Sequence, residues 1–132
     1  MRSEDLKGVI AAIATPFDEK GRLDIEALKK LTHYVVDGGV HGIMTTGGTG
    51  EFPHLLREEK KLITQTVVEA VQGRIPIIAG TAACSTMEAL LLCQDAKEAG
   101  AEAVIPLEHP TAVEKISNIF KAALWGAVVK CR

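Results

Sequence analysis

Aromatic side chains are scarce, with one Trp, one Tyr and three Phe in 132 residues. That supply counts against a base-stacking surface or an aromatic sugar platform. It is ordinary for a core of Ile, Leu, Val and Ala. An excess of either charge is also missing. Fifteen Lys and Arg against seventeen Asp and Glu leave a net charge of −2, so no basic surface argues for nucleic acid or an anionic membrane. No apolar stretch is long enough to span a bilayer. The opening, MRSEDLKG, is polar and unlike a secretory signal. The three cysteines, Cys84, Cys93 and Cys131, are an odd number without metal-ligand spacing, and His33, His41, His54 and His109 share no such spacing either. No metal or organic cofactor is implied. The thiols read as free, in a reducing, cytoplasmic compartment. Cys84, just before a helix start where a thiol is activated, reads as a small loop residue.

What is present is an alternation of apolar runs and helix-period segments. Val9 to Ala14 is a run without polar alternation, as expected of a strand covered on both faces. A turn built on Gly21 follows. Asp24 is placed to cap a helix bearing Ile25, Leu28, Leu31 and Val35, ended by Gly38-Gly39. Tyr34 on that helix reads as a packing residue. The unit then repeats. Val40 to Thr45 is a second strand, and a glycine-rich loop leads to a helix from about Leu56. Leu62, Ile63, Thr66, Val67, Ala70 and Val71 share one face, and Gly73 is the stop. Ile75 to Ala79 is a third strand, with Pro76 tolerated near its start. Ser85 and Glu88 have the spacing of a capping box. They open a helix with Ala89, Leu90, Leu92, Cys93 and Ala96 inside, ended by Gly100. Ala103 to Leu107 reads as a fourth strand and 112–124 as a last helix.

This order, βαβαβαβα with short connections, calls for a parallel sheet with right-handed crossovers in one domain over residues 1–132. Pattern alone admits two architectures, a small doubly wound sheet or half of a (β/α)8 barrel. A whole barrel takes about 250 residues.

The loop after the second strand narrows the choice. Gly47-Gly48-Thr49-Gly50-Glu51 resembles the GTTGE or GSTGE signature of the dihydrodipicolinate synthase/N-acetylneuraminate lyase family. The flanks agree in order. Gly8 to Phe17 is similar to the family's opening strand and its TPF, Gly21 to Asp24 to the next turn, and Gly39 to Ile43 to the approach to the signature. Leu55 to Glu59 resembles an L-S-x-E-E helix start. Gly73 to Thr81, Ser85 to Ala89 and Gly100 to Val104 complete a likeness over about 8–106, leaving 107–132 as a divergent tail.

The resemblance implies α/β architecture, with parallel βα repeats forming the first half, about four units, of a (β/α)8 TIM barrel. It also implies a parent activity of Schiff-base lyase or aldolase on pyruvate or a related 2-oxo acid. Gly47, Gly48 and Thr49 would hold the substrate carboxylate, with Gly50 and Glu51 shaping the loop. Glycines there let backbone N–H groups approach an anion; the plainer reading is a tight turn with glycines for positive φ. Glu51 would bond nearby backbone groups, and His54 lies close enough in sequence to touch a ligand. Gly48 departs from the family's usual Thr or Ser, whose hydroxyl belongs to a proton relay. Branches resembling 5-dehydro-4-deoxyglucarate dehydratases also read GGTGE.

The family's imine-forming lysine lies on strand six, and its tyrosines lie after strand four and on strand five, beyond what this sequence reaches. None of the ten lysines, Lys7, Lys20, Lys29, Lys30, Lys60, Lys61, Lys97, Lys115, Lys121 and Lys130, falls in an expected strand. Where the family reads P-Y-Y, this chain reads Pro106-Leu-Glu-His-Pro-Thr111. Truncation, internal deletion and a shifted reading frame all fit the tail. The chain is therefore expected to lack catalytic residues and to be inactive alone. Open edges on strands one and four would favour a homo-oligomer. A non-catalytic 2-oxo-acid binder and a decayed gene product are the alternatives.

Overall fold

The computed structural model describes residues 7–106 in full, and beyond them only the backbone of two short strands, Leu124–Trp125 and Val128–Lys130. In order the elements are β1 (Ile10–Ala12), α1 (Ile25–Asp37), β2 (Gly42–Thr45), α2 (Arg57–Val71), β3 (Ile77–Gly80), α3 (Thr86–Glu98), β4 (Ala103–Ile105), β5 (Leu124–Trp125) and β6 (Val128–Lys130). A short 3-10 turn, Phe52–His54, precedes α2. Strands β1 to β4 are parallel neighbours in chain order. This is the expected βα series, each strand one to three residues shorter than its apolar run.

Local chemistry sets the helix ends. The Asp24 carboxylate accepts from the Ala27 N–H at 2.9 Å, and Ser85 Oγ accepts from the Glu88 N–H at 3.2 Å. Both are N-caps on otherwise orphaned donors. The chain leaves α2 through Gln72 and Gly73, both at positive φ. Pro76 has no N–H to offer, but its carbonyl accepts from the Ile43 N–H at 3.1 Å, so the sheet loses nothing on that side.

The helices cover one face of the sheet. Ile43 and Ile77 pack with Leu28, Ile63, Val67 and Val71, and Ala79 and Val104 pack with Cys93, Ala96 and Ala101. Burying each large aliphatic side chain contributes about 1.5–3 kcal/mol. The other face carries the register row Ala12, Met44, Ile78, Ala103. Exposure along it falls from open at Ala12 to 1% at Ile78 and 0% at Ala103.

Several expectations are corrected. The first strand is not covered on both faces. As the sheet's edge it leaves Val9 62% and Ile10 39% exposed. The far edge is not open, because β6 pairs antiparallel with β4 and β5 pairs with β6. Lys130 therefore does lie in a strand, opposite Ala103. Tyr34 is 78% exposed and packs no core. On α2 the buried face takes Thr64 rather than Leu62, whose place on the helix turns it toward solvent. The helix expected over 112–124 lies outside the described residues, save for Leu124, which is in β5.

Candidate carboxylate-binding loop

The chain leaves β2 at Thr45, whose hydroxyl meets that of Thr64 at 3.0 Å beneath the sheet. Thr46 then takes φ +50, a left-handed value costly for a β-branched residue. Its hydroxyl donates to the Gly80 carbonyl at 2.9 Å, tying the loop to β3. Gly80 makes the approach possible, since a Cβ there would stand 2.5 Å from the Thr46 carbonyl oxygen.

Residues 48–51 form a β-turn closed by the Glu51 N–H on the Gly48 carbonyl at 3.0 Å, with the Phe52 N–H on the Gly47 carbonyl at 3.3 Å. From the other side the Thr15 hydroxyl donates to the Gly50 carbonyl at 2.7 Å. A Cβ on Gly50 would come within 3.3 Å of Ile13 O, Thr15 Oγ1 and Thr46 Cα together. The positive φ values fall on Thr46 and Glu51, not on Gly47, Gly48 or Gly50. Close approach therefore accounts for Gly50, and no glycine of the loop supplies φ > 0, which corrects that reading.

Among the described residues, nothing accepts from the N–H groups of Gly48, Thr49 and Gly50 or binds the Thr49 hydroxyl. Gly48 and Thr49 are exposed, Gly47 half-buried and Gly50 buried. Consecutive N–H groups without acceptors beside a hydroxyl match what a carboxylate needs. Glu51 is exposed, and its carboxylate accepts no hydrogen bond from a described residue; its part in the turn is through its backbone. His54, also exposed, ends the 3-10 turn, over whose Phe52 ring Lys60 Nζ stands at 5.8 Å.

Other candidates are dispersed. No lysine lies on β1 to β4, and Lys60 and Lys61 border a crevice between α2 and α3. His41 Nδ1 accepts from the Val9 N–H at 3.1 Å. Cys84 is an exposed free thiol, whereas Cys93 is buried. Among the described residues no three His, Cys, Asp or Glu gather as metal ligands, and no helix is long and apolar enough to cross a membrane. Sequence reasoning missed Thr15 and Asp95. Thr15 was visible only as part of TPF. Asp95, 8% exposed, carried one signal, an acid on the apolar stripe of α3.

Four parallel strands alternating with helices, with a glycine-rich turn at the carboxyl end of the second, define part of a (β/α)8-barrel protein. The chain belongs to the dihydrodipicolinate synthetase family, which it matches over residues 5–124. It is 43% identical over 119 residues to the 4-hydroxy-tetrahydrodipicolinate synthase of Pseudomonas putida, covering 88% of this chain and 41% of that one. The Brucella abortus synthase is 40% identical over 100 residues, 76% of this chain and 34% of that one. Thus the chain spans about a third to two-fifths of the length of these curated relatives. Dihydrodipicolinate synthase from Aquifex aeolicus superposes with a TM-score of 0.73 at 39% identity, covering 88% of this chain and 40% of that one. A prophage protein of the family from E. coli K12, in complex with pyruvate, gives 0.78 at 28%, covering 86% and 41%.

Proposed function

We propose that this chain is the N-terminal part of a Schiff-base lyase or aldolase acting on pyruvate or a related 2-oxo acid. On this reading its retained competence is to hold the acid's carboxylate, and alone it completes no imine chemistry. The observation that carries the reading is the turn at 48–51, whose Gly48, Thr49 and Gly50 N–H groups have no acceptor among the described residues. Gly47, Gly48 and Thr49 would meet the carboxylate, and Gly50 and Glu51 would shape the turn. Inactivity is supported by the lack of any lysine on β1 to β4 and by the exposure of the only tyrosine, Tyr34. An imine needs an amine of lowered pKa in a confined pocket.

Gly48 favours a second reading, a branch like the 5-dehydro-4-deoxyglucarate dehydratases. A Cβ there would meet nothing within 4 Å, so packing does not demand glycine and its presence can mark a branch. Self-association through strand edges would use β1, where Val9 and Ile10 are exposed. Closing a barrel from two copies would first require β6 to leave β4.

The test is incubation with pyruvate and borohydride, which traps an imine as a stable adduct, followed by mass spectrometry. The expected result is saturable pyruvate binding, followed by NMR, with no adduct. A stoichiometric adduct on one lysine would overturn inactivity, and absence of binding would leave a decayed product.

A further inference from the structure

We infer that Thr15 and Thr46 are positioning residues that set the carboxylate loop from its two neighbouring strands without touching the acid. The inference rests on the reading that residues 47–49 hold a 2-oxo acid. Both hydroxyls are already committed to carbonyls, Thr15 to Gly50 at 2.7 Å and Thr46 to Gly80 at 2.9 Å. Both side chains are buried, at 7% and 2% exposure. Neither is therefore free to bond a ligand, unlike the exposed Thr49.

The two bonds act at opposite ends of the loop. Thr46 fixes its start against β3, where Gly80 admits the Thr46 carbonyl. Thr15, just past β1, fixes its end by holding the Gly50 carbonyl. The Gly50 C=O and the Glu51 N–H belong to one peptide plane, so holding the first aims the second at the Gly48 carbonyl and closes the turn. With those groups engaged, the N–H groups of Gly47, Gly48, Thr49 and Gly50 are left without an acceptor among the described residues. Every contact in this scheme comes from residues 13–80. Residues beyond 80 are thus not needed to preform the cradle, and preformed donors bind without paying for reorganisation.

Amide exchange at Glu51 and Phe52, whose N–H groups close the turn, reports the clamp without ligand; pyruvate titration by NMR reports its consequence. Losing one such hydrogen bond corresponds to a factor of about 3–10. Thr15→Val is expected to speed both amides and weaken pyruvate by that factor, and Thr15→Ser to restore both. Thr15→Ala replaces Thr15→Val if the valine variant does not fold. Unchanged exchange in the hydroxyl-less variant, or pyruvate affinity equal to that of the wild-type chain, would overturn the assignment. If the wild-type chain binds no pyruvate while the hydroxyl-less variant frees both amides, the clamp stands and the 2-oxo-acid reading falls.

Discussion

Arg57, the first residue of α2, holds Asp95 of α3 through two hydrogen bonds, Nη2 to Oδ1 at 3.0 Å and Nε to Oδ2. The pair is lopsided. The Asp95 side chain is 11% exposed and that of Arg57 48%. Lys61 Nζ stands 4.0 Å from Asp95 and bonds Glu98 instead. Removing Arg57 strands a carboxylate in the helix interface, whereas removing Asp95 leaves a guanidinium that water can reach. Arg57→Ala is therefore expected to lower the urea midpoint more than Asp95→Ala. Equal losses, or the reverse order, would show that Asp95 is hydrated or held by Lys61.

Gly48 and Gly80 make opposite demands. Gly48 has no left-handed φ and open space at its Cβ position. Gly48→Thr, which restores the family's usual residue, should fold normally and raise stability by up to about 1 kcal/mol through the unfolded chain. Gly80→Ala drives a Cβ to 2.5 Å from the Thr46 carbonyl oxygen and 2.9 Å from its carbon, neither of which is a flexible side-chain end. It should cost about 1–3 kcal/mol or more and disturb the loop. Denaturant midpoints measure both. A Gly80→Ala chain as stable as wild type would mean that β3 and the loop separate freely.

The fold was legible because its periodicities agree with its punctuation. Asp24 and Ser85 cap where their spacing says they should, and the parallel register follows from short βα connections. The edges were not legible. Val9 to Ala14 reads as a buried strand because its composition suits a closed barrel, yet here β1 has one neighbour. The β5–β6 pairing with β4 has no counterpart in the βα pattern. At the site, the plainer reading of the glycines as suppliers of positive φ fails, since none of Gly47, Gly48 and Gly50 has it. Positive φ on Thr46 and Glu51 has no residue-type signal, because neither residue favours it. Thr15 and Gly50 meet across 35 positions of chain, which no local motif encodes.

Leu56 occupies the N-cap of α2 in extended conformation without a side chain that can accept, and is 60% exposed. Half of a capping box already exists, since the Glu59 carboxylate accepts from the Leu56 N–H at 2.8 Å. Leu56→Ser would supply the other half, a hydroxyl for the Glu59 N–H. The expected gain is about 1 kcal/mol, read as a higher urea midpoint with unchanged slope. No gain would mean that the exposed leucine contributes packing here that its accessibility does not suggest.

Cys93 and Cys84 should separate cleanly under alkylation. Cys93 packs in the cluster of Ala79, Ala96 and Val104, with Sγ 3.2 Å from the Thr81 hydroxyl oxygen. Burial pushes its thiol up to about 11, and the bond to Thr81 only partly offsets the shift. At pH 8 almost none of it is thiolate, the reactive form, and the little there is has no path to reagent. Cys84 is exposed, at the start of the turn into α3. Iodoacetamide under native conditions, mapped by peptide mass, should mark Cys84 promptly. Cys93 should be marked only at the rate at which α3 opens from the sheet, which rises with urea. If Cys93 reacts as fast as Cys84 in the absence of denaturant, α3 does not stay seated on β3 and β4, and the second core cluster does not hold that side of the sheet.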